Sequence, residues 1–259
     1  MTDAHLPDGD RLAVLERYLD TVPRAFAEAL ACGPFSVFVA REGWPYYARP
    51  RLGLAVPIEA DDVRAVIARM QDLRMPASIE WMQETTPSLA DAATAAGLRV
   101  EDMPLLVLDG DVRTMSGSGA RVAVVGPGDE RFASARAAVA AGFDGRDELT
   151  PEPVADWIAA RVDAGLMRVV GAFAPDGSAV GGGSHAPRDG VTELTGIAVV
   201  PSWRRRGVGA ELTRALAQDA RSGGATTVFL SAGSDDVARV YERVGFARVG
   251  SVCAAAPTQ

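Results

Sequence analysis

The chain of 259 residues contains no lysine; all 26 of its basic residues are arginine. A Walker A loop needs a lysine on the β- and γ-phosphates, so P-loop NTPase chemistry is excluded. Cysteine is nearly as scarce. Cys32 and Cys253 lie far apart in the sequence, which argues against a disulfide framework, and Cys253 opens a segment, residues 253–259, that reads as a frayed tail. Two histidines, His5 and His185, are too few to suggest a metal site. No apolar run approaches the length of a membrane span. Residues 1–12 are acidic and polar, with no basic or apolar leader region, which predicts a cytoplasmic protein. The net charge of −8 argues against nucleic acid as a partner and is compatible with a cationic amine. What remains is a globular composition, 48% hydrophobic and 23% charged, of a length that allows one large domain or two small ones.

The most informative stretch is near the C-terminal end. Residues 194–200 are apolar and β-rich and stop at Pro201. Arg204, Arg205 and Arg206 follow, then Gly207 and Gly209, then a helical pattern over 210–221 that carries Leu212, Ala215 and Leu216. The pattern predicts strand, tight loop and helix. Glycines let the backbone turn sharply and approach a ligand. The first helical N–H groups have no partner within the helix, and the dipole favours an anion there. Together with the arginines this describes a pyrophosphate cradle; the alternative is a basic loop closed by a helix. The dinucleotide fingerprint fails, because its third glycine or alanine would stand where Leu212 does.

Elsewhere the sequence predicts helices over 12–30, 59–74, 87–96, 129–141, 151–164 and 235–244, the last with Ser234 as N-cap. Strands are expected over 35–40, 51–56, 78–82, 105–108, 121–125, 167–173, 179–186, 192–200, 226–231 and 247–252. Gly181, Gly182 and Gly183 weaken one of these strands and allow close backbone approach. Residues 109–120, with Ser116-Gly117-Ser118-Gly119, lack apolar periodicity. They divide the chain into an N-terminal domain (1–110), a linker (111–120) and a second domain (121–259). Gly182-Gly183-Ser184-His185-Ala186 lacks the second glycine of a nucleophile elbow, and no histidine follows it, so a serine hydrolase is excluded.

Arg204-Arg205-Arg206-Gly207-Val208-Gly209 resembles the Gln/Arg-x-x-Gly-x-Gly/Ala motif with which the GNAT (GCN5-related) N-acetyltransferases bind acetyl-CoA. Ser234 to Phe246 resembles a second pattern of that family, Asn-x-x-Ala-x-x-x-Tyr-x-x-x-Gly-Phe: Tyr241, Gly245 and Phe246 match, Ser234 replaces the asparagine and Val237 the alanine. The resemblance implies an α/β (α+β) fold with a mixed, mostly antiparallel central sheet flanked by helices, preceded by a smaller α/β domain. Segment 78–108 is similar in layout to 227–252, with Gly97-Leu98 against Gly245-Phe246, so the first half resembles a degenerate GNAT unit without a cradle.

The resemblance further implies acetyl transfer from acetyl-CoA to a primary amine, by direct attack and without a metal. The acceptor would be a small molecule or a peptide, and the protein a monomer or homodimer. The backbone of Ile197, Ala198 and Val199 would hold the pantetheine arm and polarise the thioester. Arg204, Arg205, Arg206, Gly207, Val208, Gly209 and Ser234 would bind CoA. Tyr241 would protonate the leaving thiolate, and Glu193, on the strand before the cradle, would be the general base, with His185 as the other candidate. Phe143, Asp144 and Glu148 would border the acceptor. The alternative from another class is a non-catalytic acyl-CoA-binding or sensor protein.

Overall fold

The computed structural model describes residues 8–113 and 117–258; the expected polar leader with His5, and Ser116 of the linker, lie wholly or partly outside them. The chain forms two compact units. One comprises the residues up to Leu105 together with those from Val249 onward; the other is Leu106–Arg248. Elements are numbered in chain order.

The first unit begins with α1 (Asp8–Arg24), which ends sooner than the helix expected over 12–30. Residues of good helix propensity, Ala-Glu-Ala-Leu-Ala-Cys, instead form β1 (Ala27–Cys32), paired antiparallel with β2 (Phe35–Ala40) from Ala27↔Ala40 to Cys32↔Phe35. Gly33, at φ +54°, makes the tight turn between them. The ladder hydrogen bonds, together with burial of Phe35 and Val37, outweigh the local helical preference. The strand expected over 51–56 lies earlier, as β3 (Ala48–Pro50), antiparallel to β2. α2 (Ala60–Asp72) then crosses to β4 (Ile79–Met82), which pairs in parallel with β3. Val63, Val66 and Met70 on α2 recur at helical spacing and are buried in a core with Phe35, Ile79 and Trp81. α3 (Leu89–Ala95) and β5 (Leu98–Leu108) complete this half, and β5 is longer than the expected 105–108.

The C-terminal residues are not frayed. They belong to β11 (Phe246–Pro257), which pairs antiparallel with β4 from Val252↔Met82 to Ala255↔Ile79. Cys253 and Ala255 are buried in the core of the first unit. The last segment of the chain therefore belongs with its first hundred residues rather than with the unit that precedes it in sequence.

The second unit contains β6 (Arg121–Val125), α4 (Phe132–Phe143), α5 (Asp156–Asp163), β7 (Arg168–Phe173), β8 (Ala179–His185), β9 (Val191–Val199), α6 (Val208–Ser222), β10 (Thr227–Ser231), α7 (Asp235–Val244) and the start of β11. Strands β6 to β9 form an antiparallel meander, and β10 lies parallel to β9 after the α6 crossover. The fold is the expected mixed, mostly antiparallel sheet flanked by helices. Val208, Leu212, Leu216 and Ala220 line one stripe of α6 and are buried.

The glycine run in β8 explains how the helices sit. A Cβ on Gly182 would come within 3.0 Å of Val139 on α4, whereas one on Gly183 would come within 2.8 Å of Leu216 on α6. Alternate residues of a strand face opposite sides, so α4 covers one face of β8 and α6 the other. The two halves also share more order than the sequence showed. Each has a crossover between parallel strands, β3–α2–β4 and β9–α6–β10. Each then continues into a helix and a strand joined at a positive-φ glycine, Gly97 at +86° and Gly245 at +120°.

Candidate active site

The parallel ladder between β10 and β9 covers Val191 to Glu193, facing Thr227 to Phe229. β9 runs on beyond it to Val199, still paired with β8. In that pairing Gly182 faces Ala198 and Ser184 faces Thr195, so Gly196 and Ile197 together oppose Gly183. This is a β-bulge, made possible by Gly196 at φ +63°, and it re-aims the backbone that follows. Past the ladder a cleft of about 500 Å³ opens, lined by Ile197 and Val199 of β9, the loop before α6, and one face of α7.

The loop is held tightly. Arg204 donates from Nε to the carbonyl of Val199 (3.0 Å) and from Nη2 to that of Gly142 (2.6 Å), tying the end of β9 to the end of α4. The Arg206 guanidinium stacks 4.8 Å from the Trp203 ring. Arg205, which has a side chain yet sits at φ +60°, carries backbone strain of about 1–3 kcal/mol at the cleft wall. Gly207 is the N-cap of α6 at φ +90° and has no side chain with which to cap the first turn. The N–H groups that open this helix therefore keep their capacity for an anion. Gly207 and Gly209 both line the cleft, while the side chain of Val208 is buried and only its backbone can serve there. The three arginines thus divide. Arg204 and Arg205 line the cleft, the former engaged with carbonyls, and Arg206 packs on Trp203 outside its lining.

Tyr241 lies in the cleft wall, 7% exposed, with its ring 6.4 Å from that of Phe246. Burial pushes its phenol up to about 12. Val237, four residues before it on α7, and Val240, the residue before it, line the cleft too, as does Trp203. Sequence reasoning missed these three. The signal was there in the 237–240–241 spacing and in the loop aromatic. Ser234 does not line the cleft; its hydroxyl accepts from the Val237 N–H at 3.4 Å and caps α7. Ala198 is buried and points at Gly142 on α4, so it offers the cleft only backbone.

Glu193 is half-buried on β9, in the last pair of the β9–β10 ladder, opposite Phe229. It sits at the point where the two strands part but outside the cleft lining. His185, the other base candidate, is 2% exposed, with Nδ1 3.1 Å from the Thr192 hydroxyl and Nε2 2.9 Å from Asp219. Asp219 also binds Arg168 through two bonds of 2.9 and 2.7 Å. The His185 and Arg168 bonds hold its carboxyl well below the usual carboxylate range. Both ring nitrogens of His185 are engaged, and it lies outside the cleft lining. Beyond α4, Phe143 is 67% exposed, Asp144 pairs with Arg146 at 2.7 Å, and Glu148 is exposed. Asp147 accepts from the Ser202 N–H at 2.8 Å, which lowers its carboxyl and fixes this loop to the cradle loop.

Strands that part beside an uncapped helix, over a bulged neighbour, define an acyltransferase fold of the GNAT type. Residues 137–246 match the model of the acetyltransferase (GNAT) family. No curated protein matches the chain. Among solved structures, a GCN5-related N-acetyltransferase from Kribbella flavida is similar over 96% of both chains, at 24% identity and a TM-score of 0.74. One from Sphaerobacter thermophilus is similar over 98% of this chain and 93% of its own, at 20% identity and a TM-score of 0.62. A tandem GNAT protein from the clavulanic acid biosynthesis pathway is similar over 87% of this chain and 79% of its own, at 16% identity and a TM-score of 0.52. At these identities the likeness is one of fold, and it extends to the first half of the chain.

Proposed function

We propose that the protein transfers an acetyl group from acetyl-CoA to a primary amine by direct attack in a ternary complex. The observation that carries this reading is the cleft itself, where an uncapped glycine turn, a bulged strand edge and a buried tyrosine line one cavity. The fit to CoA rests on the free first-turn N–H groups of α6 and the adjacent Arg205, which suit a pyrophosphate. Bound there, acetyl-CoA supplies a thioester carbonyl open to nucleophiles.

The backbone of residues 197–199 lies along the cleft and offers N–H groups to the pantetheine arm and the developing oxyanion. Glu193, where the strands part, accepts the ammonium proton of the acceptor, directly or through water. The nitrogen lone pair then forms the new bond to the carbonyl carbon, the carbon–sulfur bond breaks, the Tyr241 phenol gives its proton to the sulfur, and the second proton leaving the nitrogen reprotonates the phenolate through water. No covalent enzyme intermediate is needed. Phe143 and Glu148, exposed beyond α4, border the acceptor entrance.

Calorimetry with acetyl-CoA tests the reading. Wild type binds in the micromolar range, and Gly207→Glu, which places a carboxylate at the anion site and a side chain at φ +90°, abolishes binding. Absence of binding to the folded wild type overturns the enzyme reading. If acetyl-CoA binds but no amine in a broad panel is acetylated, the protein is a non-catalytic acyl-CoA binder instead.

A further inference from the structure

The first unit has its own cleft, of about 330 Å³, and nothing in the acetyl-transfer reading uses it. It lies at the place that corresponds to the acetyl-CoA cleft in the order of elements, where the loop after β3 meets the residues between β4 and α3. Its walls are the loop from Arg51 to Leu54, Thr85 and Thr86, and the Glu16–Arg17 side of α1.

The charges around this cleft do not cancel. Glu16 is fully engaged: Oε2 accepts from Arg49 and Oε1 from the Thr85 hydroxyl, both at 2.5 Å. Arg49 is 1% exposed behind it, and its Nε has no hydrogen-bond partner among the described residues. Arg17 and Arg51 stand exposed at the cleft with no carboxylate partner among the described residues. Two acids, Glu16 and the buried Glu80 beside Arg49, thus stand against three arginines, and neither is bonded to Arg17 or Arg51. A buried ion pair tied to a threonine is also a rigid floor, since breaking it leaves a charge uncompensated.

The helix that would hold a nucleotide is closed here. α2 begins with Asp61 and Asp62 in its first turn, and Asp62 accepts the Glu59 N–H at 3.1 Å. Carboxylates already satisfy its positive end, in contrast to Gly207 on α6. A pyrophosphate is repelled from that helix start, which does not line the cleft; the arginines that do are Arg17 and Arg51. The rest of the lining is apolar, with Leu52 47% exposed beside Leu54 and Pro50.

We propose that this cleft binds a small oxyanion with an apolar body, a carboxylate or a phosphate monoester, gripped between Arg17 and Arg51. Guanidinium forks match both oxyanions with paired, charge-assisted bonds. The proposal does not depend on the acetyl-transfer reading.

Calorimetry on the full chain, with benzoate and phenyl phosphate as probes, tests it. At least one probe binds with a stoichiometry of one, and the preferred probe tells a carboxylate ligand from a phosphate. Gly207→Glu leaves this binding unchanged. Arg17→Gln combined with Arg51→Gln weakens it by at least about tenfold, or ~1.4 kcal/mol. Leu52→Asp, which adds a negative charge on the apolar side, weakens it as well. Circular dichroism melts of each variant confirm folding, since all three positions are exposed. No binding of either probe at millimolar concentration, or binding that both variants retain, overturns the proposal. A second acetyl-CoA per chain, lost in the arginine variant and kept in Gly207→Glu, overturns it in favour of a nucleotide site.

Discussion

In the reaction proposed above Tyr241 is the proton donor, and burial shapes it. The desolvated phenol, at about 12, stays protonated through the whole physiological range, so the donor form is always present. It is also a weaker acid than an exposed tyrosine, and its service to a thiolate depends on proximity. Tyr241→Phe keeps the shape of the cleft wall and removes the proton. It is expected to lower kcat about 10²–10⁴-fold with little change in acetyl-CoA affinity. The alkaline limb of the wild-type rate profile stays free of Tyr241 ionisation past pH 10, the ordinary tyrosine value.

Glu80 on β4 makes a second residue-level prediction, about stability. Burial raises its carboxyl from 4.5 to about 7, against the pull of Arg49. The folded state therefore holds a proton that the unfolded chain releases above pH 4.5, and stability declines between pH 4.5 and 7, with the full penalty present above that. Glu80→Gln removes the penalty. Urea unfolding at pH 8 is expected to show it more stable than wild type by about 3 kcal/mol, with the gain gone at pH 4.

At the scale of the element, β8 is the informative strand. A Cβ on Gly181 would sit 2.6 Å from the Ala198 carbonyl oxygen, which is backbone and cannot step aside, whereas Gly183 would meet the mobile end of Leu216 at 2.8 Å. Gly181→Ala is therefore expected to cost about 1–3 kcal/mol and to exceed Gly183→Ala, as thermal melts of the two would show. Strand, glycine turn and helix around Gly207 were legible in the sequence because each rests on chemistry local to a few residues: β-rich side chains, missing Cβ atoms, helical spacing. Ser234 and α7 were legible for the same reason. β1 and the end of β11 were not. Both are alanine-rich, and they are strands only because Phe35–Ala40 and Ile79–Met82 pair with them. The burial of His185 was not legible for the same reason, since Asp219, which holds it, is 34 residues away. The apolar half of the cleft, Val237 and Val240, looked like ordinary helix pattern until the cavity gave it a role.

For the molecule as a whole, the fact with the widest reach is that the first unit is discontinuous in sequence. Deleting residues 249–258 would strip β4 of a partner strand and remove buried Cys253 and Ala255. An unpaired strand edge invites association with other chains. The truncated protein is expected to lose amide-exchange protection in Ile79–Met82 and to aggregate on expression, whereas retention of that protection would show that β11 is dispensable there.

The pairing of β11 with β4 also imposes a timetable. A ribosome delivers residues 27–105 before Leu106–Arg248, and only after both does it make the strand that finishes the earlier sheet. Through the synthesis of the whole second unit, the earlier one waits with Ile79, Trp81 and Met82 short of their final neighbour, and its maturation is gated by the arrival of Val252 to Ala255. The earlier unit is completed only after the later one has been made, and a chain interrupted anywhere in Leu106–Arg248 leaves both units unfinished.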